Sequence, residues 1–154
     1  MDEKLIGEAL IELADLSNCA SGDFHCLHLN VQGAEFDNIH GVVLKKYYEE
    51  AAYDYDELAE KSRMFDITSP SPNESATRIG YQSFNPQNGI SKDIAISRSN
   101  EVMELILDKY LAVYKSLNKI DDCPMVVGIA NFLQTRLEYW SKECHYFNKS
   151  RGTS

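Results

Sequence analysis

Residues 28–40 read "HLNVQGAEFDNIH", and this stretch sets the reading of the whole chain. It opens and closes on histidine. Between the two, Gly33 ends one segment and opens a turn, because glycine takes backbone conformations that other residues avoid. Upstream, Leu5, Ile6, Ala9, Leu10, Leu13 and Leu16 form an apolar stripe, with Glu3, Glu8, Glu12 and Asp15 outside it. That spacing predicts an amphipathic helix from about Asp2 to His28. Downstream, Asp37 is placed to cap a second helix that runs to about Phe65. This second helix carries "YYEEAAYDYDELAEK" over residues 47–61.

Further along, "TSPSPNES" (68–75) breaks the chain with two prolines and several capping residues. Asn73 is placed to cap a short helix within "ESATRIGYQSF" (74–84), and "NPQNG" (85–89) breaks it again. A third long helix is expected from about Ser91 to Leu117, with Ile94, Val102, Ile106, Tyr110, Val113 and Leu117 among its apolar positions. The fourth opens at "DDCP" (121–124), where Asp122 is a suitable cap and Pro124 suits a first turn, and runs to about Phe147. No strand pattern, repeat or low-complexity segment interrupts this order. Amphipathic helices of roughly 25 residues cannot bury their stripes alone. The expected fold is therefore all-α, a four-helix bundle in a single domain over residues 1–154. The long middle connection, from about Asp66 to Ile90, carries the short extra helix. It is long enough to cross the bundle and set helices two and three parallel.

Composition narrows the function classes. Apolar residues make up 44% and charged residues 25%, ordinary values for a globular domain, and no run is long enough to suggest a membrane span. The start, "MDEKLIGEAL", lacks the basic region of a secretory signal, so a cytoplasmic protein is expected. The net charge is −9. The first 20 residues hold Lys4 against Asp2, Glu3, Glu8, Glu12 and Asp15, and the tail "NKSRGTS" offers only Lys149 and Arg151. DNA binding is disfavoured, because it draws its affinity from several cations that displace phosphate counterions. Cys19, Cys26, Cys123 and Cys144 form no CxxC pair, and all are expected to be reduced thiols.

The stretch 28–40 with the helix after it resembles the Dps family, the bacterial miniferritins. The family pattern falls on His28, Asn30, Val31, Gly33, Phe36, His40, Asp56, Ala59 and Glu60. Pro70 and Pro72 before a short helix, and Glu138 and Trp140 on helix four, extend the likeness. The resemblance implies a ferritin-like four-helix bundle assembled as a hollow homo-oligomer, a dodecamer. It also implies oxidation of Fe(II), preferably by peroxide, and storage of the ferric product, protecting against oxidative stress. The iron site it implies lies between subunits, with His28 and His40 from one chain and Asp56 and Glu60 from its two-fold partner. Asp121 and Asp122 would then lie near an iron pore. Imidazole and carboxylate are suitable ligands for iron, and Asp56 and Glu60 stand one helical turn apart.

The chain departs from that pattern in ways that keep open a non-catalytic cage with a degenerate iron site; the other alternative, from a role known within the family, is a DNA-protecting protein. The family's further acidic ligand, four positions after the second histidine, is here Leu44, followed by Lys45. Leu29 stands where many members carry Trp. The interval from His40 to Asp56 is one residue longer than in the family, and one residue turns a helix by about 100°. A π-bulge absorbs a single extra residue, and "KKYYEEAAYDYDE" (45–57) is its expected place. Without one, Tyr55 and Ala59 take the ligand positions, leaving Asp54 as a substitute. His25, one turn before His28, is a further candidate ligand, although an exposed or hydrogen-bonded residue is the simpler reading. His145 reads as surface, and Cys26 as a structural thiol beside the site.

Overall fold

A computed structural model describes residues 2–120 and 122–152. Helix α1 spans Glu3–Asn30. The second long rod is composite: α2 (Phe36–Asn38), a π-helical segment (Ile39–Leu44) and α3 (Lys45–Arg63). A 3₁₀ turn (Pro72–Glu74) leads into α4 (Ser75–Ile79). Helix α5 spans Lys92–Leu117. The last rod joins α6 (Pro124–Lys142), a second π-helical segment (Glu143–Phe147) and α7 (Asn148–Ser150). The described residues form no strand, and the one sheet-like contact is a parallel bridge between Val31 and Ile90. No helix among them is long and apolar enough to cross a membrane.

The fold is the expected all-α bundle. Ser62 Oγ donates to the Gly7 carbonyl and Ser21 Oγ to that of Tyr48, so α1 and α3 run antiparallel. The Val31–Ile90 bridge puts the start of α5 beside the end of α1, where α2 also begins. The second and third rods are therefore parallel, and the crossover between them spans the bundle. Two buried carboxylates of α1 pin this crossover. Asp15 accepts from Ser75 Oγ (2.8 Å) and from Arg78 Nε and Nη2 (2.8 and 2.6 Å). Asp23 accepts from the Tyr81 hydroxyl (2.7 Å), the Phe84 N–H (2.9 Å) and Arg98 Nη2 (2.5 Å). Asp15 is thus buried, against its expected place outside the stripe, while Leu5 and Ile94 are exposed.

Several caps differ from expectation. Asp2 and Ser91, at the expected helix starts, cap α1 and α5 by accepting from the Leu5 and Ile94 N–H groups. Asp37 lies inside α2, whose start is set by Glu35 in a left-handed conformation (φ 62°) after Gly33 (φ 94°). Ser71, not Asn73, caps the 3₁₀ turn, and α4 stops early at left-handed Gly80. At the last rod Cys123 holds the cap position without a side-chain bond, and Asp122 is left-handed (φ 65°). Asp121 lies outside the described residues.

One buried carboxylate joins all four rods. Asp54 of α3 is fully buried. It accepts from the Tyr110 hydroxyl of α5 (2.8 Å) and the Trp140 Nε1–H of α6 (2.9 Å), and pairs with Arg136 Nε (2.5 Å). Ser17 of α1 lies 2.5 Å from the Tyr110 hydroxyl. Arg136 also donates to Glu50 at 2.8 Å. Burial pushes the Asp54 carboxyl upward, and Arg136, Trp140 and Tyr110 pull against it. Around this group Phe24 stacks on Trp140 (5.7 Å) and tilts against Tyr47 (5.4 Å). Removing one partner of a buried ion pair strands the other charge and costs about 3–5 kcal/mol. Asp54→Ala is expected to lose about that much stability, read from the chemical-denaturation midpoint.

Candidate metal centre

The two histidines of the stretch 28–40 meet. His28 lies near the end of α1, and His40 lies in the first π-helical segment. Their rings stack with centroids 3.7 Å apart. His28 Nδ1 lies 2.6 Å from the His40 carbonyl oxygen, and His40 Nδ1 lies 2.7 Å from that of His28. A carbonyl only accepts, so each Nδ1 donates and carries the proton. Both Nε2 atoms are left with free lone pairs, the tautomer a metal ligand needs. Burial holds His28 below the ordinary imidazole value; the bond to the His40 carbonyl opposes this, while His40, His25 and Lys45 add to it.

The π-helical segment forms over Ile39–Leu44, immediately before the expected "KKYYEEAAYDYDE". A π-helical turn holds one residue more than an α-helical turn, so it changes the face presented by the residues that follow. Ile39, Val43 and Leu44 are buried, and the buried line continues through Tyr47, Ala51, Asp54, Leu58 and Ser62. Asp56 and Glu60 then share the outer face of α3, both exposed, while Tyr55 and Ala59 are partly buried against the core. Asp54 is committed to the core and is not a substitute ligand.

The other α3 carboxylates have cationic partners: Glu49 with Lys45, Glu50 and Asp54 with Arg136, Glu57 with Lys61. Among the described residues, Asp56 and Glu60 have none. The chain alone does not bring these two to the histidines. The one group of three or more potential ligand residues within 4.8 Å among the described residues is Glu104, Cys144 and His145.

The surroundings of the histidines are apolar and open. Phe36 stacks on His40 (4.7 Å), and Leu29, Phe36 and Val42 are exposed. His25 is exposed and stacks on Tyr48 (4.3 Å), its ring 5.9 Å from that of His28. Leu44 is fully buried, and Lys45 approaches Glu49 at 3.9 Å. Cys26 is half-buried with its Sγ 3.7 Å from the Phe84 carbonyl, and all four cysteines are free thiols. Sequence spacing misses the reciprocal ring-to-carbonyl bonds, because they depend on how α1 and the π-segment cross.

Two outcomes follow. Deleting Gly41, an exposed residue of the π-segment, should close it to an α-helix and leave both flanks in register. Helical content by circular dichroism should hold and stability change by only about 1 kcal/mol. Secondly, the His28 ring should titrate below about 6.5 by NMR. With the folded value depressed, the native state takes up this proton less readily than the unfolded chain. The associated stability is present above about pH 6.5 and lost as pH falls through the His28 value.

No protein-family model matches the chain, and no curated protein is similar to it. Solved structures are. The chain superposes on Helicobacter cinaedi CAIP with a TM-score of 0.83 at 14% identity, over 95% of this chain and 98% of that one. Mycobacterium smegmatis Dps gives 0.73 at 13% identity, covering 93% and 89%. Antigen TpF1 from Treponema pallidum gives 0.68 at 18% identity, covering 90% and 93%. At these identities the likeness speaks to the fold, and the fold is the ferritin-like bundle of Dps, as the sequence resemblance implied.

Proposed function

We propose that this chain is a Dps-type miniferritin that binds and oxidises Fe(II) and stores the ferric product in a hollow homo-oligomer. The observation that carries this reading is a pair of complementary half-sites on one chain. His28 and His40 offer two free Nε2 lone pairs at one place. Asp56 and Glu60 offer two unpaired carboxylates at another, on a helix whose other acids are all neutralised. A two-fold dimer brings the histidines of each chain to the carboxylates of the other. Exposed Leu29, Phe36 and Val42 beside the histidines, and Tyr53 on the carboxylate helix, supply apolar surface for that contact.

Iron is the substrate here. Neutral imidazoles and carboxylates suit Fe(II), and the carboxylates favour the extra charge of Fe(III). With peroxide as oxidant, a pair of ferrous ions each gives one electron. The O–O bond breaks, and two protons are taken up to leave two waters. The protein's part is to hold iron and keep the reaction off the surface.

A second reading, a cage with a silent site, is favoured by two residues. Leu44 is buried in the core, so it leaves the family's acidic position without a ligand, and the Lys45 ammonium bears on His28. Stopped-flow oxidation of anaerobically added Fe(II) by peroxide separates the two. The first reading expects His28→Ala or Glu60→Ala to slow oxidation at least roughly 10-fold, with the assembly intact by size-exclusion chromatography. Wild-type rates equal to buffer would establish the silent cage. A gel shift at low salt tests DNA protection, and none is expected at a net charge of −9.

A further inference from the structure

The second π-helical segment, Glu143–Phe147, carries another histidine, beside a cysteine. Cys144 Sγ, one nitrogen of His145 and a carboxylate oxygen of Glu104 all lie within 4.8 Å of one another. Glu104 stands in the middle of α5, so the group bridges two rods. It lies on the α5–α6 side of the bundle, whereas His28 and His40 lie between α1 and the second rod. We propose that Glu104, Cys144 and His145 form a Zn²⁺ site that ties the end of the last rod to α5.

Three observations support it. First, the donor set is one thiol, one imidazole and one carboxylate; burial and Glu104 keep the thiol protonated without metal, and a bound cation displaces that proton. These are the atoms Zn²⁺ takes, and three of them leave a fourth tetrahedral position for water. Second, competing partners are few. Glu104 and His145 are exposed with no ion pair or side-chain hydrogen bond, and buried Cys144 has only a long contact, 3.8 Å, to the Asn100 carbonyl. Third, the segment is held in place around them. Glu143 is buried and paired with Lys46. Asn148 donates to Asn100 Oδ1 (2.8 Å) and accepts from the Tyr47 hydroxyl (2.8 Å) and Arg151 (2.7 Å). Asn100 lies one turn before Glu104 on α5, so these bonds fix the π-segment against the helix that supplies the carboxylate. Tetrahedral ligands of Zn²⁺ lie about 3.3–3.8 Å apart, within a small rotation of the two exposed side chains.

Co²⁺ is the probe, because thiolate ligation gives it a near-ultraviolet charge-transfer band. Titrating chelator-treated protein should give that band at one Co²⁺ per chain, and Zn²⁺ should bleach it. Cys144→Ser should abolish it. His145→Ala and Glu104→Gln, both surface substitutions that leave the fold intact, should each weaken Co²⁺ binding about 10-fold or more. His28→Ala should leave the band unchanged, which separates this site from the iron site. The proposal is overturned by the absence of a thiolate band in the native protein, by its persistence in Cys144→Ser, or by unchanged affinity in both surface variants.

Discussion

Asp54 is the constraint on which the bundle's register depends. Its two oxygens engage α5 through Tyr110 and α6 through Trp140 and Arg136, and Ser17 of α1 adjoins Tyr110. An apolar core fills space, but burial by itself has little direction. A buried carboxylate does not slide, because each displaced donor leaves an unpaired charge or polar group in low dielectric. Asp54 therefore fixes the rotation of α3 about its own axis. With Asp54 facing inward, Asp56 faces outward, and Glu60 follows one turn later.

The same rotation explains why the π-helical segment sits where it does. Upstream of α3, the chain must put Ile39, Val43 and Leu44 into the core and His40 against His28. Downstream, Asp54 fixes the inward face. An uninterrupted α-helix cannot meet both demands with the residues present, and one wider turn reconciles them. The wider turn lies beside the histidine, where flanking Gly41 and Val42 are exposed and little packing opposes it. The last rod behaves alike. Its π-segment lets Glu143 reach Lys46 while Cys144 turns toward α5 and Asn148 still reaches Tyr47. Each widened turn presents a histidine near other potential ligands.

Charge placement follows a related division. Asp15 and Asp23 are buried on α1, where Arg78 and Arg98 cover them and hold the crossover. Most acids of α3 are neutralised along the helix or by α6. Asp56, Glu60 and Glu104 are among the exposed acids without an ion pair, and the chain's own packing makes no use of them. On the reading proposed above, they hold metal ions: iron at the first two, zinc at the third.

The sequence by itself determined the helical rods, the breaks at Gly33 and at the two proline-rich segments, and the crossover with its short helix. Apolar periodicity and turn chemistry are local, and they survive without knowledge of neighbours. His28 and His40 also stood out in the sequence, and the structure stacks their rings, while Asp56 and Glu60 lie on the exposed face of α3. Only the tertiary structure decided where the helix widens, because the cost of widening a turn depends on what packs against it. Likewise only the tertiary structure made Asp15, Asp23 and Asp54 interior. Their arginine and tyrosine partners lie far away in sequence, so a residue that reads as a solvated face becomes a buried tether. Cys144 and His145 became neighbours of Glu104 for the same reason. Helix α5 supplies the third ligand, and no spacing along the chain records which helix will lie alongside.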